Sequence, residues 1–251
     1  MEALRTNRQK RERQRRFLVE GVRNIDAALM SGWTVHTVLS PEGVRRSRWA
    51  EEAADRAGAA DRLELTTDLF DLLTERDDRP ELLLVAEIPQ RRLDDVPRMN
   101  ELVVVVLDRI ASPGNLGTII RTADALGAHA VVTVGHSAHP YDPQAVRAST
   151  GSLFTVPVVS ADTPAELEQF CREHGMTIVA ADEQGEVDVA EAELTRPCAL
   201  LLGNEADGLS RALRDLADIT VRIPIGGSAT SLNVAVAAGI LLHELARRVR
   251  G

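Results

Sequence analysis

Leu102-Val103-Val104-Val105-Val106-Leu107 is an unbroken apolar run, and four residues later the chain reads Ser112-Pro113-Gly114-Asn115-Leu116-Gly117-Thr118-Ile119-Ile120-Arg121-Thr122. A strand with one wet face alternates apolar and polar residues. A continuous β-branched run has no wet face and is the pattern of a central parallel strand covered on both sides. The second stretch opens a helix: Pro113 and Gly114 make the turn, and Asn115 is a good N-cap. Free N–H groups at such a helix start suit an anion. Further strand patterns follow at 130–134, 155–159, 176–180, 199–202 and 219–223, with helical patterns near 116–126, 143–149, 164–174, 209–216 and 232–249. Strands alternating with helices in this way predict a parallel α/β sheet.

Upstream, Pro89-Gln90-Arg91-Arg92-Leu93-Asp94-Asp95-Val96-Pro97 is polar and bracketed by prolines, the mark of a linker. The expected organisation is therefore a small α/β domain over 1–88, a linker over 89–99 and the parallel-sheet domain over 100–251. In the first of these, Phe17, Leu18, Val22, Ile25, Ala28 and Leu29 recur at helical spacing, predicting one amphipathic helix that stops near Ser31-Gly32. Strands are expected at 33–39, 63–65 and 82–88, and helices at 46–57 and from Thr66 or Thr67 to Leu73.

The chain has 251 residues, 44% of them hydrophobic, enough to bury a core and to exclude a disordered chain. It has no apolar run of bilayer length and a basic, polar start, so a cytoplasmic protein without membrane partners is expected. Cys171 and Cys198 form no C-x-x-C pair, which argues against a zinc site. The net charge of −9 speaks against a general nucleic-acid binder, yet Met1–Arg23 carries eight basic residues against three acidic ones. A local basic arm on an acidic body can hold phosphates, and Arg5, Arg8, Arg11, Arg15 and Arg16 are the candidate contacts. The alternative is a solvated helix face.

Two more segments carry chemistry. In Leu201-Leu202-Gly203-Asn204-Glu205 an apolar strand ends in glycine with a carboxylate just beyond it, at the strand end where α/β sheets collect ligands. From Ile223 a strand runs through Pro224-Ile225-Gly226-Gly227 into Ser231-Leu232-Asn233 and a helix of very small residues. Capping explains one of Ser231 and Asn233; two polar residues there ask for more. His136 and His139 have metal-like spacing without a supporting ligand set, so no metal is expected. His243-Glu244 does not extend to H-E-x-x-H, and no G-x-G-x-x-G occurs.

Together the three segments resemble the SpoU (TrmH-type) RNA ribose 2′-O-methyltransferases of the SPOUT superfamily. The signatures are N-L-G-x-x-x-R-T at 115–122, L-G-x-E-x-x-G-L-S at 202–210 and I-P-x-x-G-x-x-x-S-L-N-V-A at 223–235. Arg147-Ala148-Ser149-Thr150-Gly151-Ser152-Leu153-Phe154 resembles the segment between the first two. Phe17-Leu18-Val19-Glu20-Gly21 resembles, more loosely, the family's ribosomal-protein-like (L30e-like) substrate-binding domain.

The resemblance implies a deep trefoil knot in the C-terminal domain, a homodimer, and S-adenosylmethionine held largely through backbone at Leu202, Gly203, Ile223, Ile225, Ser231 and Leu232. It implies Arg121 as the residue that activates the ribose hydroxyl, with Asn115, Glu205, Ser231 and Asn233 positioning the reactants. A guanidinium is a poor proton acceptor, so a fixed cation beside a developing alkoxide or a phosphate is the easier role. The expected substrate is structured RNA, 23S rRNA ahead of tRNA, since the front domain resembles those of rRNA members that include antibiotic-resistance enzymes. The competing readings are a catalytically silent RNA-binding or assembly protein on the same scaffold, and a small-molecule enzyme using the Gly-Gly loop for phosphate.

Overall fold

A computed structural model describes residues 1–74 and 79–249, so the last two residues of the expected 100–251 domain lie outside the described residues. The chain divides into two compact units, residues 1–90 with 139–155, and residues 91–138 with 156–251.

The first unit begins with α1 (Glu2–Thr6) and α2 (Arg8–Gln14), the latter capped by the Asn7 side chain, which accepts from the Lys10 amide at 3.0 Å. Then come β1 (Arg16–Glu20), α3 (Val22–Met30), β2 (Val35–Pro41), α4 (Arg48–Arg56), β3 (Asp61–Leu65), α5 (Thr67–Asp71) and β4 (Leu83–Glu87). The sheet order is β1-β4-β2-β3, with only the β2–β3 pair parallel. One expected helix becomes two elements: Phe17-Leu18-Val19 is the middle of β1, and Gly21, at φ 92°, turns the chain into α3. The period misled because both faces of β1 are covered. Leu18 packs with Leu4, Leu39, Phe70, Leu83 and Val85, while the Phe17 ring meets Trp33, Tyr141 and Phe154 at centroid distances of 5.9, 4.7 and 6.2 Å.

The second unit contains β5 (Val103–Asp108), α6 (Pro113–Ala125) and β6 (Ala130–Val134). The chain then contributes α7 (Pro143–Ser149) and a turn at 152–154 to the first unit. It resumes with β7 (Val158–Ala161), α8 (Pro164–Glu173), β8 (Thr177–Ala181), β9 (Val187–Asp188), β10 (Cys198–Leu202), α9 (Arg211–Arg214), β11 (Ile219–Arg222) and α10 (Val234–Val249). The sheet order is β7-β6-β5-β10-β8-β11-β9, parallel at every pair. Every residue of β5 is buried, as its unbroken apolar run requires. β10 returns between β5 and β8, so the carboxyl ends of β5 and β10, with Leu107 opposite Leu202, lie side by side where the strand order reverses. α10 packs on α6. Among the described residues no helix is long and apolar enough to cross a membrane.

Candidate active site

The helix after β5 starts earlier than the sequence suggests. Pro113 takes the first helical position and the Ser112 hydroxyl caps, accepting from the Asn115 amide at 3.3 Å. The expected N-cap role of Asn115 is thus corrected, and its side chain is released for another purpose. Asn115 Nδ2 donates to Glu205 Oε1 at 2.9 Å, and Asn115 Oδ1 accepts from Asn233 Nδ2 at 3.1 Å. Asn233 Oδ1 in turn accepts from the Ala235 amide at 2.9 Å, so this residue caps α10 as well. Each amide orientation is fixed by its neighbour, and the chain of bonds joins all three signature segments. Glu205 also accepts from the Ala111 and Ser112 amides at 3.2 and 3.4 Å. Partial burial pushes its carboxyl upward, but the Asn115 side chain and these amides outweigh that and hold it below the usual carboxylate value.

The turn carrying Glu205 is held by residues the sequence reading missed. Asn204 and Gly208 exchange both backbone hydrogen bonds at 3.0 Å, and the Asn204 side chain donates to the Arg109 carbonyl at 2.6 Å. Buried Asp108 accepts from the Ser210 amide at 2.5 Å and from Arg109 Nε at 3.0 Å, and Arg109 Nη2 reaches the Gly208 carbonyl at 3.1 Å. The available signal was position: a charged pair immediately beyond an apolar strand, at the end where ligands collect. At Gly203 a Cβ would stand 2.2 Å from both Gly208 C and Leu209 N, so the tight turn of the chain itself requires glycine there. At Gly226 and Gly227 a Cβ would meet open space.

The loop from Ile223 to Leu232 makes no backbone hydrogen bond among the described residues, and most of it is exposed, Ile225, Ser231 and Leu232 included. Its N–H and C=O groups are therefore available to a ligand, the property that backbone recognition of S-adenosylmethionine requires. Leu202 is the buried end of β10. The structure does not join Arg121 to the Asn115–Glu205–Asn233 network. Six residues turn a helix by about 240° beyond a full turn, so Arg121 leaves α6 on another side, exposed and without a side-chain partner among the described residues.

The basic arm is not a loose tail. Leu4 is a core residue at 3% exposure. Arg11 is corrected as an RNA contact: its side chain is 3% exposed and donates to Asp142 at 2.9 Å and to the Leu4 and Arg5 carbonyls. A buried guanidinium needs those acceptors. Arg5 donates to the Thr74 carbonyl and Arg15 to Glu87, both half-buried, while Arg8 and Arg16 are exposed beside Glu12 and His36. Cys171 and Cys198 are buried thiols pushed up to about 12 by desolvation, so neither is a thiolate nucleophile. No group of three or more His, Cys, Asp or Glu that could hold a metal occurs among the described residues.

Residues 102–243 match the SpoU rRNA Methylase family, and residues 1–84 match the SpoU L30e-like domain. The chain is 44% identical to the 23S rRNA (uridine(2479)-2'-O)-methyltransferase of Streptomyces viridochromogenes, over 98% of this chain and 88% of the relative. It is 32% identical to the 23S rRNA (guanosine(2553)-2'-O)-methyltransferase RlmP of Bacillus subtilis, over 91% and 88%. The fold matches the crystal structure of the SpoU methyltransferase AviRb from Streptomyces viridochromogenes in complex with AdoMet, with a TM-score of 0.94 at 43% identity, over 100% of this chain and 96% of that one.

Proposed function

The chain belongs to the SpoU rRNA methylase family, and on that premise we propose that it transfers a methyl group from S-adenosylmethionine to a ribose 2′-oxygen of 23S rRNA. The observation that carries this reading is the hydrogen-bonded chain Glu205–Asn115–Asn233, which ties three signature segments together at the carboxyl ends of the sheet. When bound, S-adenosylmethionine supplies a methyl already made electrophilic by its positive sulfur. Leu202, Gly203, Ile223, Ile225, Ser231 and Leu232 would hold it, and the unpaired backbone from 223 to 232 supports that assignment.

The transfer would exchange the S–CH3 bond of the cofactor for an O–CH3 bond on the ribose, leaving S-adenosylhomocysteine, with the 2′-hydroxyl proton passing to solvent. Glu205, kept anionic by the Asn115 side chain and the Ala111 and Ser112 amides, is a weak base and a rigid acceptor, so its part is to orient. Arg121 stays protonated and stabilises the developing alkoxide or clamps the neighbouring phosphate. Since Arg121 stands off the Glu205 network in its own chain, the reading includes a homodimer in which it works with the partner's network. The trefoil threading belongs to the same reading and is supported by the return of β10 between β5 and β8. The first unit would select the RNA, with exposed Arg8 and Arg16 on phosphates, and the protein would work in the cytoplasm. Likeness over nearly the full chain to a 23S rRNA uridine methyltransferase supports rRNA over tRNA, and the resemblance to rRNA members that include antibiotic-resistance enzymes makes resistance the physiological role to examine.

The deciding experiment maps ribose methylation in RNA from cells with and without the protein. One 23S rRNA ribose losing its methyl is expected; an unchanged map would sink the assignment. For the site, Arg121→Ala should lower methyl transfer more than a hundredfold, about 3 kcal/mol of transition-state stabilisation, with S-adenosylmethionine affinity by calorimetry nearly unchanged. Arg121→Lys should recover only part, because an ammonium lacks the planar fork. Wild-type turnover in the alanine variant would discard the role.

A further inference from the structure

Arg109 is held in a conformation that its residue type disfavours. Its φ is +53°, the left-handed region that a side chain with a Cβ enters at a cost and that Gly and Asn enter readily. Three contacts hold it there. Its amide donates to the Val134 carbonyl at 3.0 Å, its carbonyl accepts from Asn204 Nδ2 at 2.6 Å, and its guanidinium spans Asp108 and the Gly208 carbonyl. The neighbouring strand end makes room: a Cβ on Gly135 would come within 2.9 Å of Arg109 Cγ. The core does not need this arginine, whose side chain is about one-third exposed. What it does is grip the Asn204–Gly208 turn at both ends, from the end of β5, with Glu205 between the two grips.

We infer that Arg109 is a positioning residue for methyl transfer: it fixes the Glu205 turn so that the carboxylate meets Asn115, Ala111 and Ser112 before RNA arrives. A strained backbone maintained by several contacts beside a reacting site is the usual form of stored preorganisation. The inference rests on the reading of Glu205 as part of that site.

Arg109→Asn separates the two parts of the residue, because asparagine suits the left-handed backbone while lacking the fork that spans Asp108 and Gly208. The full-length variant is expected to stay folded at the assay temperature, to lose at least tenfold in kcat, and to keep KM for RNA and calorimetric affinity for S-adenosylmethionine within threefold. Arg109→Lys, which keeps the charge and loses the fork, should fall in kcat by a similar factor. Wild-type kcat in Arg109→Asn would overturn the inference, as would kcat losses in both variants that track lowered melting temperatures. Glu205→Gln, measured alongside, tells which premise has failed. If it is as active as wild type, the reading of Glu205 is wrong. If it is impaired while Arg109→Asn is not, only the role of Arg109 falls.

Discussion

The two units of this chain are packed from different materials. Six of the seven aromatic residues lie in the first unit, and Phe170 is the single ring in the second. The second packs Val, Leu, Ile and Ala on both faces of a seven-stranded parallel sheet, where short branched side chains fill evenly spaced layers. The first has only four short strands, and large rings close one face of its sheet. Two of those rings, Tyr141 and Phe154, come from a segment more than a hundred residues along the chain. Trp33 Nε1 donates to the Phe154 carbonyl at 3.1 Å, and Arg11 pairs with Asp142. The stretch 1–90 builds one core of its own around Leu18, and the other face of its sheet is closed by rings from farther along the chain.

That contrast can be broken or sharpened by substitution. Phe154→Ala, though it falls within the 102–243 family match, should cost the first unit about 3–5 kcal/mol, and hydrogen exchange should show protection lost first over 16–30. Loss confined to the seven-stranded sheet would break the comparison. The aliphatic unit should be most sensitive where its backbone turns tightly. Gly203→Ala puts a methyl 2.2 Å from the backbone of Gly208 and Leu209 across the turn and should cost about 3 kcal/mol in urea unfolding, whereas Gly226→Ala, facing open space, should stay within about 0.5 kcal/mol. Equal costs at the two glycines would contradict that close approach.

The smallest effect concerns pH. Burial, then the charges of Arg11 and Arg8, pull buried His139 of the first unit from its ordinary value near 6.5 down to about 4, against a smaller upward pull from Glu12. A lowered folded-state pKa means that the unfolded chain binds the proton more readily. The stability is thus present above pH ~6.5 and lost as the solution falls toward about 4. We expect about 2 kcal/mol lost by pH 5, and His139→Gln should remove that share of the slope. An unchanged slope would show that His139 is not the group responsible.

The strand-rich order of the second half was legible because a doubly covered strand writes itself as a continuous apolar run, and Asn115 and Glu205 lie in the segments that follow two such strands. Phe17-Leu18 was misread because a short strand covered on both faces also lacks period two. Asn115 was given the wrong local task, since Pro113 and Ser112 together start the helix earlier. Arg109 was invisible, because nothing in a list of residue types marks an arginine that must adopt a left-handed backbone.

Sequence by itself determined most elements of the second unit, its parallel sheet and the three segments whose strand-to-helix junctions hold the site, because burial period and turn chemistry are local properties. Tertiary structure alone decided that β10 inserts beside β5, that Arg11 turns inward to Asp142, and that Arg109 grips the Asn204–Gly208 turn. Those depend on which distant groups come within a few ångströms, and no local pattern carries that information.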